Sequence, residues 1–198
     1  MPDRLQPPNL SPSQITSIPE RGRCETVLHG RVANAINRDN EIPVRKMNFV
    51  QRGGFWVLSQ GLLLLGVVLL AVRFRRKRRH IVAVISGGIL LTIGTGVALT
   101  GAIALGRNIT PFPKPSEKAQ LVRHGIFSLI RHPIYSGVMF ASLGWALVWQ
   151  SWPALLKASW MIPFFDAKTR REEKWLREKF ADYGEYEKCV KRFIPRIY

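Results

Sequence analysis

Two short polar clusters carry the side chains able to do chemistry. Residues 121–137, LVRHGIFSLIRHPIYSG, set Arg131, His132, Pro133 and Tyr135 within five positions. Residues 168–176, KTRREEKWL, supply Lys168, Glu172 and Glu173. A proline after a histidine fixes the backbone and starts a helix. The backbone N–H groups of a helix start have no internal partner and bind negative charge. His132-Pro133 thus makes a cradle for an anionic or carboxylate-bearing ligand, with Tyr135 further round the first turn. Lys168 and Glu172 stand at i and i+4 and share a helix face. Glu172 can receive a cationic amine and Lys168 an anionic group. Each cluster also has a plainer reading, an interfacial histidine with a solvated ring and an ordinary surface salt bridge. Spacing alone does not separate these.

Both clusters border apolar sequence, and that sequence must position them. Residues 55–72, 81–105 and 133–156 carry no charge. About 20 apolar residues span a bilayer core of roughly 30 Å. None of the three runs shows the polar face expected of a buried core helix, so membrane insertion is expected. Ionisable groups at the edge of such runs are costly and mark function. In the second run Gly87, Gly88, Gly94, Gly96, Ala98, Gly101 and Ala102 are small, which lets helices pack closely in lipid. Residues 106–131 are turn-rich. Pro111, Pro113 and Pro115 forbid a regular helix, Ser116 and Glu117 can open a short helical segment near Leu121, and Gly125 suits a tight turn. The third block, 133–165, is broken by Trp149-Gln150-Ser151-Trp152-Pro153. Its halves are short for full spans and read as a helical hairpin that enters the bilayer and returns; one span ending near Leu156 is the competing reading. Residues 166–193 form a charged helix with Trp175, Leu176, Phe180, Tyr183 and Val190 along one stripe, bent at Gly184 and ended before Pro195.

The net charge of +17 stands beside apolar blocks, where it holds topology and meets anionic membrane lipids. No recognised nucleic-acid motif accompanies it, so nucleic acid is not an expected partner. With the hairpin, five Lys/Arg of 107–131, ten from Lys168 onward and eight of the N-terminal region share one side, against six in 73–79. The positive-inside rule then makes the motif side cytoplasmic. Cys24 and Cys189 lie far apart and form no metal-ligand cluster, so no metal is expected. A disulfide between them is not expected either. Residues 1–46 are polar, without an apolar period, and read as a disordered tail with no signal peptide. Residues 47–198 form the membrane domain. The fold expected is an all-α integral membrane protein with about four membrane-embedded helices, including a C-terminal helical hairpin, plus a cytosolic C-terminal amphipathic helix. The oligomeric state stays open.

The segments GRNITPFPKPSEKAQLVRHGIFSLIRHPIYSG, FFDAKTRREEKWL and YGEYEKCVKRFIP resemble the isoprenylcysteine carboxyl methyltransferase family and its bacterial relatives. The likeness covers residues 106–195. It rests on LV-x-x-G-x-(F/Y), RHP-x-Y-x-G and EE-x-x-L in this order, part of which membrane enzymes that methylate phospholipid amines share. The resemblance implies a membrane methyltransferase using S-adenosyl-L-methionine from the cytosolic side, with the cofactor site built from 106–137 and 166–195. By it, Gln120, Leu121 and Val122 line the cofactor through their backbone, and Phe127 stacks near the adenosine, where eukaryotic members carry Tyr. His132, Pro133, Ile134 and Tyr135 hold the cofactor, and Glu172 holds its amino group. Lys168 stands where an arginine meets the substrate carboxylate, and Arg192 is a second candidate for that role. The reaction implied is direct displacement by a lipid-like substrate, with an isoprenylcysteine-like carboxylate as nucleophile. A carboxylate is ionised at pH 7 and needs no general base; an amine must lose a proton, which His132 or Glu172 could take. The alternatives are a phospholipid or lipid-amine N-methyltransferase, a membrane reductase of similar layout with a nicotinamide cofactor, and a non-catalytic scaffold.

Overall fold

Five α-helices make up the described part of the chain: α1 (Gly54–Arg73), α2 (Ile81–Leu105), α3 (Pro133–Trp149), α4 (Trp152–Lys179) and α5 (Tyr183–Cys189). Short 3-10 turns occupy Gly106–Asn108 and Gly125–Ser128. This computed structural model describes Phe49, residues 53–78, 80–110, Phe112, Lys114 and residues 119–198. The expectations for 1–46 and for a helical start at Ser116 and Glu117 lie outside the described residues. Residues 119–123, just beyond them, are not helical.

The helices α1 and α2 are long and apolar enough to cross a membrane. Leu58, Leu62 and Leu69 on α1 and Ile85, Ile93 and Ile103 on α2 are each more than half exposed. Apolar faces of that extent mark contact with lipid or partners rather than water. The third apolar run forms the shorter helix α3.

One subset of the small residues forms the seam between α2 and α3. Gly87, Gly94 and Gly101 are buried on α2, and Gly137 and Gly144 on α3. A Cβ on Gly94 would lie 2.4 Å from the Ala141 nitrogen and 2.7 Å from the Gly137 oxygen. One on Gly144 would lie 2.4 Å from the Leu91 nitrogen and 2.7 Å from the Gly87 oxygen. The two backbones therefore touch. A step of seven residues is close to two helical turns and keeps these glycines on one side. Gly88 and Gly96 face open space and take no part.

At one end of the molecule the α1–α2 loop meets the turn between α3 and α4. Gln150 closes α3 in the left-handed region (φ 49°). Its amide donates to the His80 carbonyl at 2.9 Å and its Oε1 accepts from the His80 N–H at 3.2 Å. The Arg76 N–H donates to the Trp149 carbonyl at 3.2 Å, and Ser151 Oγ to the Leu70 carbonyl at 2.9 Å.

Several expectations for the C-terminal third are corrected. The apolar arm ending at 165 and the charged helix beginning at 166 are one helix, α4, which carries Pro163 in its interior. The break comes at Phe180, which has extended backbone (φ −118°, ψ 110°), rather than at Gly184, which lies within α5. The cause is packing. Turning the chain here buries Tyr183, Tyr186 and Val190 against Leu121, Leu176 and Phe180. Beyond α5 the chain is not helical. Lys191 pairs with Ile130 in a parallel bridge, and the Arg131 and His132 N–H groups donate to the Lys191 and Arg192 carbonyls at 2.9 and 3.1 Å. Cys189 is disulfide-bonded, against expectation; Cys24 lies outside the described residues.

Candidate active site

The backbone pairing just described leads directly into Pro133, the first residue of α3, so the C-terminal segment fixes where His132 stands. Upstream, Gly125 has φ 63°, a conformation that costs glycine little. The turn places Phe127 in the interior at 7% exposure, and the Tyr186 hydroxyl donates to the Phe127 carbonyl at 2.6 Å. Arg123 and Asp182 form an ion pair that ties this loop to the α4–α5 turn. Asn108 Oδ1 accepts the Gln120 N–H at 3.1 Å.

Glu173 is the hub of the buried polar groups. It has no solvent exposure. Arg131 donates to its Oε1 from Nε at 3.0 Å and from Nη2 at 2.8 Å. His132 Nε2 lies 3.1 Å from the same oxygen. Arg192 donates to Oε1 at 3.1 Å and to Oε2 at 2.6 Å, and reaches Asp166 Oδ1 at 2.8 Å. Arg131 Nη1 also donates to the Glu187 and Val190 carbonyls at 2.8 Å each. Burial pushes the Glu173 carboxyl upward, but the bonds from His132 and Arg192 and the Arg131 charge outweigh it and hold it well below the usual carboxylate range.

Glu172 has a different environment. The Tyr135 hydroxyl donates to its Oε2 at 3.0 Å, and Tyr135 stacks between His132 and Phe165 with ring centres 5.7 and 4.9 Å away. Burial raises the Glu172 carboxyl above its ordinary value, with His132, Tyr135 and Lys168 pulling it back and Glu173 adding to the rise. Lys168 is 1% exposed; its Nζ donates to Gln60 Oε1 at 2.5 Å and lies 4.8 Å from the Tyr135 ring centre.

These groups surround a cavity of about 460 Å³. Gln120, Leu121, Val122, Phe127, His132, Pro133, Ile134, Tyr135, Lys168 and Glu172 all line it. Arg192 does not; it sits on Glu173 and Asp166. Gln60, Asn108, Tyr183 and Tyr186, which the sequence did not mark as site residues, also line it, as does Arg131; neither Arg131 nor Glu173 was assigned a role. Two signals were present: an adjacent Glu-Glu pair with only one member given a task, and a lone glutamine in an apolar run. The Tyr183 hydroxyl is buried without a hydrogen-bond partner among the described residues. No cluster of three or more His, Cys, Asp or Glu able to hold a metal occurs among the described residues.

A model of the phospholipid methyltransferase family matches residues 82–183, half of the chain, from α2 to the start of α5. The chain belongs to the phospholipid methyltransferase family. Both polar clusters fall within the matched region. A probable protein-S-isoprenylcysteine O-methyltransferase of Oryza sativa subsp. indica is 26% identical over 148 residues, 72% of this chain and 76% of the relative. Protein-S-isoprenylcysteine O-methyltransferase A of Arabidopsis thaliana is 30% identical over 115 residues, 56% and 58% of the two chains. Its B counterpart is 29% identical over 112 residues, 54% and 57%. Membership makes the chain an enzyme of the methyltransferase class, and α1 and α2 agree with a membrane protein.

Proposed function

We propose that the protein transfers a methyl group from S-adenosyl-L-methionine to an amphipathic, membrane-partitioned acceptor, and that the reaction is carboxyl O-methylation of an isoprenylcysteine-like group. The observation that carries this reading is the shared cavity. It joins the loop 119–135 to Lys168 and Glu172, distant in sequence, beside two apolar helices. Its volume lies in the range of small-molecule sites, about 300–1,000 Å³.

The residues fit the cofactor. Glu172 offers a carboxylate for an ammonium group, Phe127 an aromatic wall, and the non-helical backbone of Leu121 and Val122 polar groups along one side. The orphaned Tyr183 hydroxyl accords with a ligand that supplies its partner. Bound there, S-adenosyl-L-methionine supplies an activated methyl group. The chain's own part is positioning and water exclusion. His132 and Glu173 fix the start of α3, Tyr135 orients Glu172, and Lys168 holds an anionic acceptor. Because a carboxylate is already ionised, no side chain has to remove a proton. A lipid amine as acceptor is the second reading. It is favoured by the family's description and by the raised Glu172 carboxyl, which takes a proton more readily than an ordinary carboxylate.

In this reading α3 and α4 form a hairpin dipping into the bilayer from the cytoplasmic side, with the cavity mouth at the headgroups. The contact of Tyr135, at the start of α3, with Glu172, late in α4, supports it.

Calorimetry with S-adenosylhomocysteine on detergent-purified protein tests the cofactor. Saturable binding should weaken about 10–100-fold in Glu172→Gln, the loss of a charged hydrogen bond of about 1.5–3 kcal/mol, with unchanged thermal unfolding. Well-folded protein that binds no S-adenosylhomocysteine would sink the proposal. Methyl transfer to prenylcysteine mimics against lipid amines then decides between the two acceptors.

A further inference from the structure

We propose that Gln60, on the first membrane helix, is a positioning residue that holds Lys168 without neutralising it, keeping one buried positive charge for an anionic acceptor group. This deepens the methyltransferase reading and rests on it for the acceptor's role. A buried ammonium is costly unless paired. Arg131 and Arg192 meet that demand with Glu173. Lys168 does not: its Nζ hydrogen-bonds the neutral Gln60 carbonyl oxygen and lies over the Tyr135 ring. Among the described residues no carboxylate forms an ion pair with it. Glu172, one turn on, acts on Lys168 through its charge without contact, its Oε2 being engaged by the Tyr135 hydroxyl.

Two ammonium hydrogens remain for a ligand. Gln60 adds to this, because its carbonyl is taken by Lys168 while no described acceptor takes its amide hydrogens, and both residues line the cavity. A large polar side chain within a membrane helix is expensive and marks function. The pair therefore presents ammonium and amide donors to one anion, a carboxylate on the acceptor. It also places that anion against α1, whose outer face is apolar, so the acceptor's chain has lipid beside it.

Gln60→Glu tests this with almost no change of shape, since the new carboxylate would pair with Lys168 and repel an anion. The probe is N-acetyl-S-farnesylcysteine, with binding to detergent-solubilised protein measured by calorimetry and with acceptor KM measured by transfer. Gln60→Glu should weaken probe binding and raise acceptor KM at least tenfold. The KM for the methyl donor and the affinity for S-adenosylhomocysteine should stay within twofold. Equal probe binding by the two proteins, or no probe binding by the wild type, overturns the proposal. Probe binding lost in Gln60→Glu, without any S-adenosylhomocysteine binding, would instead sink the methyltransferase reading and leave only the Gln60–Lys168 anion site standing. If Gln60→Glu does not fold, Lys168→Met reads the charge itself: a tenfold loss of probe binding supports the proposal and an unchanged affinity overturns it.

Discussion

Adjacent carboxylates in this protein have opposite work. Glu173 binds two arginines and a histidine in the interior, while Glu172 turns to the cavity. Removing one partner of a buried ion pair typically costs about 3–5 kcal/mol, because it strands the other charge. Glu173→Gln strands Arg131 and Arg192, and should lower thermal stability by that order, as scanning calorimetry in detergent would read. The pH dependence follows from the lowered Glu173 carboxyl. A carboxylate whose folded pKa is depressed stabilises the fold above its unfolded value of about 4.3, and that contribution is lost as pH falls toward the folded value. Wild-type unfolding temperature should therefore drop more steeply below about pH 4 than that of Glu173→Gln. Parallel curves would show that the hub does not carry this titration.

At the scale of elements, α2 and α3 meet through glycines seven residues apart. At Gly87, Gly94, Gly137 and Gly144 a side chain cannot be added without moving backbone, since the nearest atom to a new Cβ belongs to main chain. Overpacking of this kind costs about 1–3 kcal/mol or more. Gly94→Val should therefore unfold at lower temperature and lose S-adenosylhomocysteine binding, because α2 ends against Pro133 and Ile134 through Gly101. Gly96→Val, only two positions away and facing open space, should do neither. Equal effects from both would mean that helix propensity rather than the seam is being measured. The α4 helix has a different task. Running unbroken through Pro163, it carries Lys168, Glu172 and Glu173 on one rigid rod to the start of α3.

For the whole molecule, the decisive relation is which helix ends share a side. The basic tract 73–78 lies with Trp149 and Gln150, and the cavity is built from the other ends of α1, α3 and the long α4. His124, Lys191 and Lys77 are exposed. In a background with the native cysteines replaced, His124→Cys and Lys191→Cys should react with an impermeant maleimide from one side of the membrane, and Lys77→Cys from the other. Labelling of His124→Cys and Lys191→Cys from opposite sides would rule out the proposed hairpin.

The helical class, the two long apolar helices and the two polar clusters were all legible in the sequence, because uncharged runs and HP-x-Y or EE spacing are local properties. So was the family resemblance. What the local pattern could not contain was partnership across the fold. Which glutamate would face the cavity depends on how α4 is rotated against His132, a matter of a single residue step. Phe180 ends a helix without any breaker of its own, because Tyr183 and Tyr186 gain a buried site by turning. Arg192 has a charge suited to substrate, yet the C-terminal segment's pairing with Ile130 delivers it to Glu173. Gln60, over a hundred residues from Lys168, became part of the site only when α1 packed against α4. Periodicity and charge decide what a segment can be, while the choice among its possible partners is made by packing that only the assembled helices possess.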